Sequence, residues 1–324
     1  MLEQRLLFRE RNKMKFILKI AVLVLLTAIT VQIQAGTKNI NIIAGFPAGT
    51  GHDLVARQLA SDINAGNEFN VVVENKVGAG GTIAVNDVAN TKNTDPPKLL
   101  IFTNTLYVNS FITHRLDINT PNLLKPVGFI GYVPLVLNVN ANTDINTLKD
   151  VKNFKGISLR AGTGGKGSLP ETNSLYLGHL LNAPIESIPY TGQNKAFIDL
   201  ASGQIDIVFD YYASSMPFIE GGKVRPILVT GNHRLPKLPN VPTFKEQGIN
   251  WPLESFYMLY ASTNISDSDL TKLKAIVTKS LKNNPVPYRD TLGITLNLDN
   301  NKNVEQFHEN TIYHYRHLKF PVKD

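Results

Sequence analysis

Three stretches of this chain place glycines where a backbone could hold an anion. They are Gly45-Phe46-Pro47-Ala48-Gly49-Thr50-Gly51-His52-Asp53, Gly78-Ala79-Gly80-Gly81-Thr82 and Gly162-Thr163-Gly164-Gly165-Lys166-Gly167-Ser168. Each lies between an apolar run that reads as a strand and a pattern that reads as a helix. Glycine lets backbone amides approach a ligand closely, and the first amides of a helix have no partner within it. Together with the helix dipole they make an anion site without arginine or lysine. Thr50, Thr82, Thr163 and Ser168 add hydroxyl groups. Asp53 has two readings: a carboxylate that satisfies backbone donors at a helix start, or a pocket group that accepts from a ligand hydroxyl, ammonium or water. Spacing alone favours the first. His52 is either a ligand contact or an exposed loop residue.

Other chemistries fit less well. The chain has no cysteine, which excludes thiolate metal sites, iron–sulfur clusters, a catalytic cysteine and disulfides. Gly162-x-Gly164-x-x-Gly167 matches the dinucleotide fingerprint, but no acidic residue stands at the end of the next strand to hold a ribose. Lys166 is followed by glycine, so the loop is not a P-loop. There is no nucleophile elbow of the G-x-S-x-G type and no H-E-x-x-H zinc motif. His314 and His317 lack a third partner and read as a surface pair. Asp206 and Asp210 resemble paired carboxylates, and structural roles at a strand end are the plainer expectation. Neither a cofactor nor a metal is expected.

The segments that must carry these loops alternate in type. Strands are expected at Asn39–Ala44, Phe69–Glu74, Leu99–Thr103, Ile157–Ala161, Ile185–Ile188, Ile205–Phe209 and Ile227–Thr230, with helical patterns between them. Such alternation implies an α/β fold of mostly parallel sheets covered by helices. In such sheets ligands bind at the carboxyl ends of the strands, where the glycine loops fall. Helices are expected from about Asp53 to Ala65, from Thr82, over Gln193–Ala201 and from Ser266. Thr243-Phe244-Lys245-Glu246 fits a capping box, with Gly248 as its stop.

These strands are too many for one compact sheet. Val127–Val139 and Phe256–Ala261 are the candidate crossover strands between two lobes. The expected organisation is 1–35 as a signal peptide, 36–135 plus 257–324 as lobe one, and 136–256 as an inserted lobe two.

The signal peptide rests on Lys13, Lys15 and Lys19 around Met14, an apolar run from Ile20 to Val31, and Ala35 at a small-residue cleavage point. Residues from Met14 onward would suffice for it. The run is short for a membrane span, and the alternative is an uncleaved anchor. Residues 1–35 hold six basic and two acidic side chains, so the remainder keeps about +3 of the formal +7. With no basic stripe interleaved with aromatics, nucleic acid is not an expected partner.

Several stretches together resemble one family. Phe46-Pro47-Ala48-Gly49-x-Gly51-x-Asp53, Val72-Val73-Glu74-Asn75-Lys76-x-Gly78-Ala79-Gly80-Gly81, Ile188-Pro189-Tyr190-x-Gly192 and Gly203-Gln204-Ile205-Asp206 occur in order. They are followed by Val229-Thr230, Leu238-Pro239-Asn240-Val241-Pro242-Thr243 and Glu246-x-Gly248. The set is similar to the periplasmic solute receptors of tripartite tricarboxylate transporters, the Bug proteins. That resemblance implies a periplasmic-binding-protein-like Venus flytrap of two α/β lobes. It also implies a monomer that delivers a small carboxylate to a membrane permease and is not an enzyme. Its binders, carried onto this chain, are Phe46, Ala48, Gly49 and Asp53 from one lobe, and Thr163, Gly164, Gly167 and Ser168 from the other. Thr50 and His52 stand in the same loop, and Thr103 to Thr105 form a further wall. Three departures touch the pocket: His52 stands where the family has threonine, Leu169-Pro170-Glu171 where a histidine is usual, and Phe102–Tyr107 matches the family poorly. A sensory receptor domain or an exported enzyme on the same fold are the alternatives.

Overall fold

The computed structural model describes residues 38–92 and 96–320. The expected signal peptide and its cleavage point lie outside them. Among the described residues no helix is long and apolar enough to cross a membrane.

The first sheet begins with β1 (Lys38–Ala44), followed by α1 (Gly51–Asn64), β2 (Phe69–Asn75), α2 (Thr82–Ala89), β3 (Lys98–Thr103) and α3 (Thr105–Phe111). Strands β4 (Leu124–Tyr132), β10 (Phe256–Ser262) and β11 (Thr295–Leu296) complete it, in the order β11-β4-β10-β3-β1-β2. The second sheet takes β5 (Leu135–Asn140), β6 (Leu159–Thr163), β7 (Ile185–Pro189), β8 (Ile207–Tyr211) and β9 (Val224–Val229), in the order β7-β6-β8-β5-β9. Helices α4 (Leu148–Lys152), α5 (Leu169–Leu181), α6 (Gln193–Ser202) and α7 (Tyr212–Glu220) belong with it. The chain returns to the first sheet through β10 and ends in α8 (Asp267–Asn283), α9 (Pro285–Asp290) and α10 (Val304–His317).

This is the two-lobed α/β architecture expected from the sequence, with one refinement: both sheets are mixed. β1 with β3, and β6 with β7 and β8, are parallel, and β1 and β6 feed two of the glycine loops. The strands joining the lobes run the other way. β10 is antiparallel to β3 and β4, and β5 is antiparallel to β8 and β9. The apolar run Val127–Val139 splits at Val133-Pro134, because proline has no amide to continue a ladder. Its first half pairs in one sheet and its second half in the other. The two crossover segments are tied together, Val133 N donating to Ser255 O at 2.8 Å.

Local differences follow from local chemistry. α1 starts at Gly51, ahead of the expected Asp53, since Leu54 N already bonds to Thr50 O at 3.0 Å. Val55, Ala56, Leu59, Ala60 and Ile63 then fall on its buried face at helical spacing. Ile157 is 97% exposed and stays out of the strand, which starts at Leu159. The capping box at Thr243 forms, Thr243 N to Glu246 Oε2 at 2.8 Å and Glu246 N to Thr243 Oγ1 at 3.0 Å. It closes only a short 3₁₀ turn, Lys245–Gln247, before Gly248 turns left-handed at φ 77°.

The C-terminal helices brace the wall after β3. Tyr107 Oη lies 2.7 Å from His308 Nδ1, and His308 Nε2 lies 3.1 Å from Pro121 O. A carbonyl can only accept, so Nε2 carries the proton and Tyr107 donates to Nδ1. Burial pushes His308 down to about 4, keeping it neutral in this arrangement. Asn104, next to Thr103, donates to Tyr315 Oη at 2.8 Å. Through these bonds α10 holds the loop between Thr103 and Thr105 in place.

Candidate functional site

Four strand-to-helix junctions meet between the lobes. Thr50 precedes α1, Ser168 precedes α5, Gly192 precedes α6 and Tyr211 precedes α7. All four residues line one cavity. Its enclosed space is about 20 Å³, within a cleft of about 340 Å³ counted to its mouth. Phe46, Pro47, Thr50 and His52 face it from the first lobe; Gly164, Ser168, Leu169, Pro170, Gly192, Gln193, Asp210 and Tyr211 face it from the second. No lysine or arginine is among them. The positive ends of four helices therefore set the electrostatics, and an anion is the ligand they favour.

The lobes are shut on each other around this cavity. Tyr211 Oη donates to Thr103 Oγ1 at 3.3 Å, and Thr103 and Thr105 hydroxyls lie 2.8 Å apart. Gly80 and the Lys166 carbonyl are so close that a Cβ at residue 80 would lie 2.4 Å from the oxygen. A Cβ on Gly192 would meet Pro47 Cγ at 3.0 Å. Closure at these points requires glycine on one side.

His52 is not an exposed loop residue. Its ring lies 4.4 Å from that of Phe46, 5.6 Å from Phe102, 5.5 Å from Tyr211 and 5.2 Å from Tyr257. Burial pushes it down to about 3, so it is neutral at any physiological pH. Asp210, expected to be structural, lines the cavity. Burial pushes its carboxyl up to about 7, against bonds from Ser214 and the Tyr211 amide. Ser214 Oγ donates to Asp210 Oδ2 at 2.5 Å. Asp206 is structural: its carboxylate takes the Arg160 guanidinium at 2.9 and 3.0 Å and the Arg160 amide at 2.8 Å.

Of the residues singled out from the sequence, Phe46, Thr50, His52, Gly164 and Ser168 line the cavity. Ala48, Gly49, Asp53, Thr103, Thr105, Thr163 and Gly167 do not. Asp53 holds loop one in shape instead. Its Oδ2 accepts from Gly49 N and Arg57 Nε, both at 2.9 Å, and its Oδ1 accepts from Asn75 Nδ2 at 3.0 Å. Burial alone would raise its pKa, but these donors outweigh burial and hold the carboxyl below its usual range. Gly167 N is likewise spoken for, donating to Glu171 Oε2 at 2.6 Å. Thr103 and Thr105 are fully buried behind the cavity, where Tyr211 reaches them. Thr163 pairs with Ser187 at 3.4 Å, and Ala48 is exposed.

Sequence reasoning missed Gln193 and Tyr211, and missed Tyr257, whose ring meets His52 edge to face at 84°. The same strand–loop–helix rule, applied after β7 and β8, would have reached Gln193 and Tyr211. Neither junction has the dense glycine that drew attention elsewhere. A larger groove, about 680 Å³, runs along the crossover segments past Tyr132, Pro134, Thr230 and Glu254, and no glycine loop reaches it. Among the described residues no group of three histidine, aspartate or glutamate side chains is placed to hold a metal ion.

Residues 55–318 match the model of the tripartite tricarboxylate transporter family receptor. The chain belongs to this receptor family. It is 30% identical over 213 residues to a UPF0065 protein from the tcbD-tcbE intergenic region of Pseudomonas sp. strain P51. That match spans 65% of this chain and 63% of the relative. The fold is similar to the periplasmic binding protein BugD, with TM-score 0.76 and 24% identity over 86% of this chain and 95% of BugD. It is also similar to MatC of Rhodopseudomonas palustris, solved with bound malate, with TM-score 0.77 and 22% identity over 87% and 98% of the two chains. Receptors of this family bind small solutes and serve transport.

Proposed function

We propose that this receptor is exported to the periplasm, captures a small carboxylate between its two lobes, and passes it to the membrane permease of a tripartite tricarboxylate transporter. Residues 36–135 with 257–324 make one lobe, and 136–256 make the other. The observation that carries the reading is the convergence of four helix N-termini on one cavity that no lysine or arginine lines. The ligand is bound and released unchanged, by a monomer. Ser168 and the amides that begin α1, α5, α6 and α7 receive its carboxylate, while the Thr50 hydroxyl donates to Pro47 O at 2.7 Å and shapes the loop. The cavity is too small for a dicarboxylate with the lobes fully shut, so binding settles them slightly further apart. Contacts made to both lobes at once select the closed form.

Thermal unfolding against a panel of small carboxylates, malate included, tests this. The protein is first refolded from denaturant to remove carried-over ligand. A carboxylate at 100 times its dissociation constant adds about 2.7 kcal/mol, a rise of several degrees in midpoint. Silence across the panel, or chemical conversion of a ligand that does bind, would overturn the reading.

A further inference from the structure

Two residues that line this cavity, one from each lobe, each carry a buried polar atom without a partner. Gln193 is 4% exposed; its Nε2 donates to Phe209 O at 2.7 Å, and its Oε1 has no hydrogen bond. The Phe209 carbonyl can only accept, so the amide nitrogen must face it and the oxygen must face away. His52 is 3% exposed, and its Nε2 has no hydrogen bond. Both residues line the same small space. A Cβ on Gly164 would lie 3.5 Å from Gln193 Oε1, which places that oxygen against the glycine loop of the second lobe.

A side-chain amide oxygen accepts and never donates. Buried polar atoms in native proteins are rarely left unpaired, and those at a binding site point to a ligand group. An ionised carboxylate has only acceptors, so the group that anchors the ligand at the helix N-termini cannot satisfy Gln193. The neutral imidazole of His52 pairs with a group that donates, accepts or does both. A hydroxyl suits either residue, since it donates to Gln193 Oε1 and can donate to or accept from His52, and an amide N–H suits Gln193. A cation is disfavoured, because four helix N-termini already face the cavity.

Building on the carboxylate-receptor reading above, we infer that Gln193 and His52 form a donor-reading subsite, and that the ligand is a carboxylate carrying an uncharged O–H or N–H donor. The protein discriminates against plain carboxylates of the same length, since these leave Gln193 Oε1 buried and unpaired.

Isothermal titration of the refolded protein with matched pairs tests the inference. The pairs are succinate with malate, glutarate with 2-hydroxyglutarate, and benzoate with 4-hydroxybenzoate. The hydroxylated member of the pair that fits should bind about 5- to 100-fold tighter. Gln193→Met fills a similar volume without an acceptor, and in the folded variant the ratio should drop below about threefold. If Gln193→Met does not fold, Gln193→Asn withdraws the acceptor by one methylene and should compress the ratio in the same direction. Equal binding within every pair, or a folded variant that keeps the preference, overturns the subsite and leaves the carboxylate receptor standing. Aspartate binding tighter than malate overturns the uncharged donor. Binding of no carboxylate at all overturns both readings.

Discussion

Replacing Asp53 by alanine separates the two roles this carboxylate can have. The side chain is almost wholly buried and accepts from Gly49 N, Arg57 Nε and Asn75 Nδ2. The Arg57 side chain is 54% exposed and returns to water when its partner goes, so that pair contributes little, about 0–1 kcal/mol. The Gly49 amide is part-buried and loses its only acceptor. Asn75 keeps the bond from its Nδ2 to Phe46 O at 2.9 Å, and its Oδ1 also accepts from Arg57 Nη2 at 3.4 Å. Two hydrogen bonds to a charged acceptor at about 1.5–3 kcal/mol each, less what water and Asn75 recover, give a loss of about 2–4 kcal/mol. Urea denaturation followed by circular dichroism should show the midpoint falling by about 1 M. Affinity for carboxylates should fall less than stability does, because Asp53 shapes the loop that carries Phe46 and Thr50 without lining the cavity. An unchanged midpoint with binding lost would refute this, and would mean that the carboxylate faces the ligand.

The other predictions concern acid, base and closure. Asp210 ionises above its ordinary value of 3.8 when unfolded but only near 7 when folded, so its contribution to stability is lost as pH rises between those values. His52 protonates below 6.5 when unfolded but only near 3 when folded, so its contribution is lost as pH falls through that window. The two slopes oppose each other. Relative to the parent, Asp210→Asn should therefore steepen the loss of stability between pH 6 and 4.5 by about 1.4 kcal/mol per unit, and His52→Gln should flatten it by a similar amount. Urea midpoints at three pH values check both signs, and parallel curves for parent and variants would contradict the burial argument. Gly80→Ala puts a methyl against the Lys166 carbonyl of the other lobe, at φ +64°. The local strain is about 1 kcal/mol, so the protein folds. Solution scattering should show a larger radius and titration a weaker affinity, and an unchanged radius with full affinity would show that the lobes never close on this contact.

Much of this molecule is written locally. The glycine stretches at residues 45–51, 78–81 and 162–167 announce strand-to-helix junctions, because short range chemistry demands small residues where backbone must turn and approach a partner. The apolar runs announce the strands, Pro134 divides the crossover run, and Ser266 caps α8 as its hydroxyl and position require, accepting from Asp269 N at 3.1 Å. The order of motifs along the chain announces the family. What the sequence could not assign was which polar groups would be used up and which would remain. Asp53 sits in a motif that suggests a ligand, yet Asn75, 22 residues away, and the Gly49 amide take its oxygens. Gln193 reads in the sequence only as the start of a helix, yet the Phe209 carbonyl fixes its nitrogen and leaves its oxygen facing away, against Gly164. Tyr211 meets Thr103 across 108 positions of sequence. Hydrogen bonds saturate, so whether a group is free for a ligand depends on every neighbour that tertiary folding brings to it, and only the folded chain settles that.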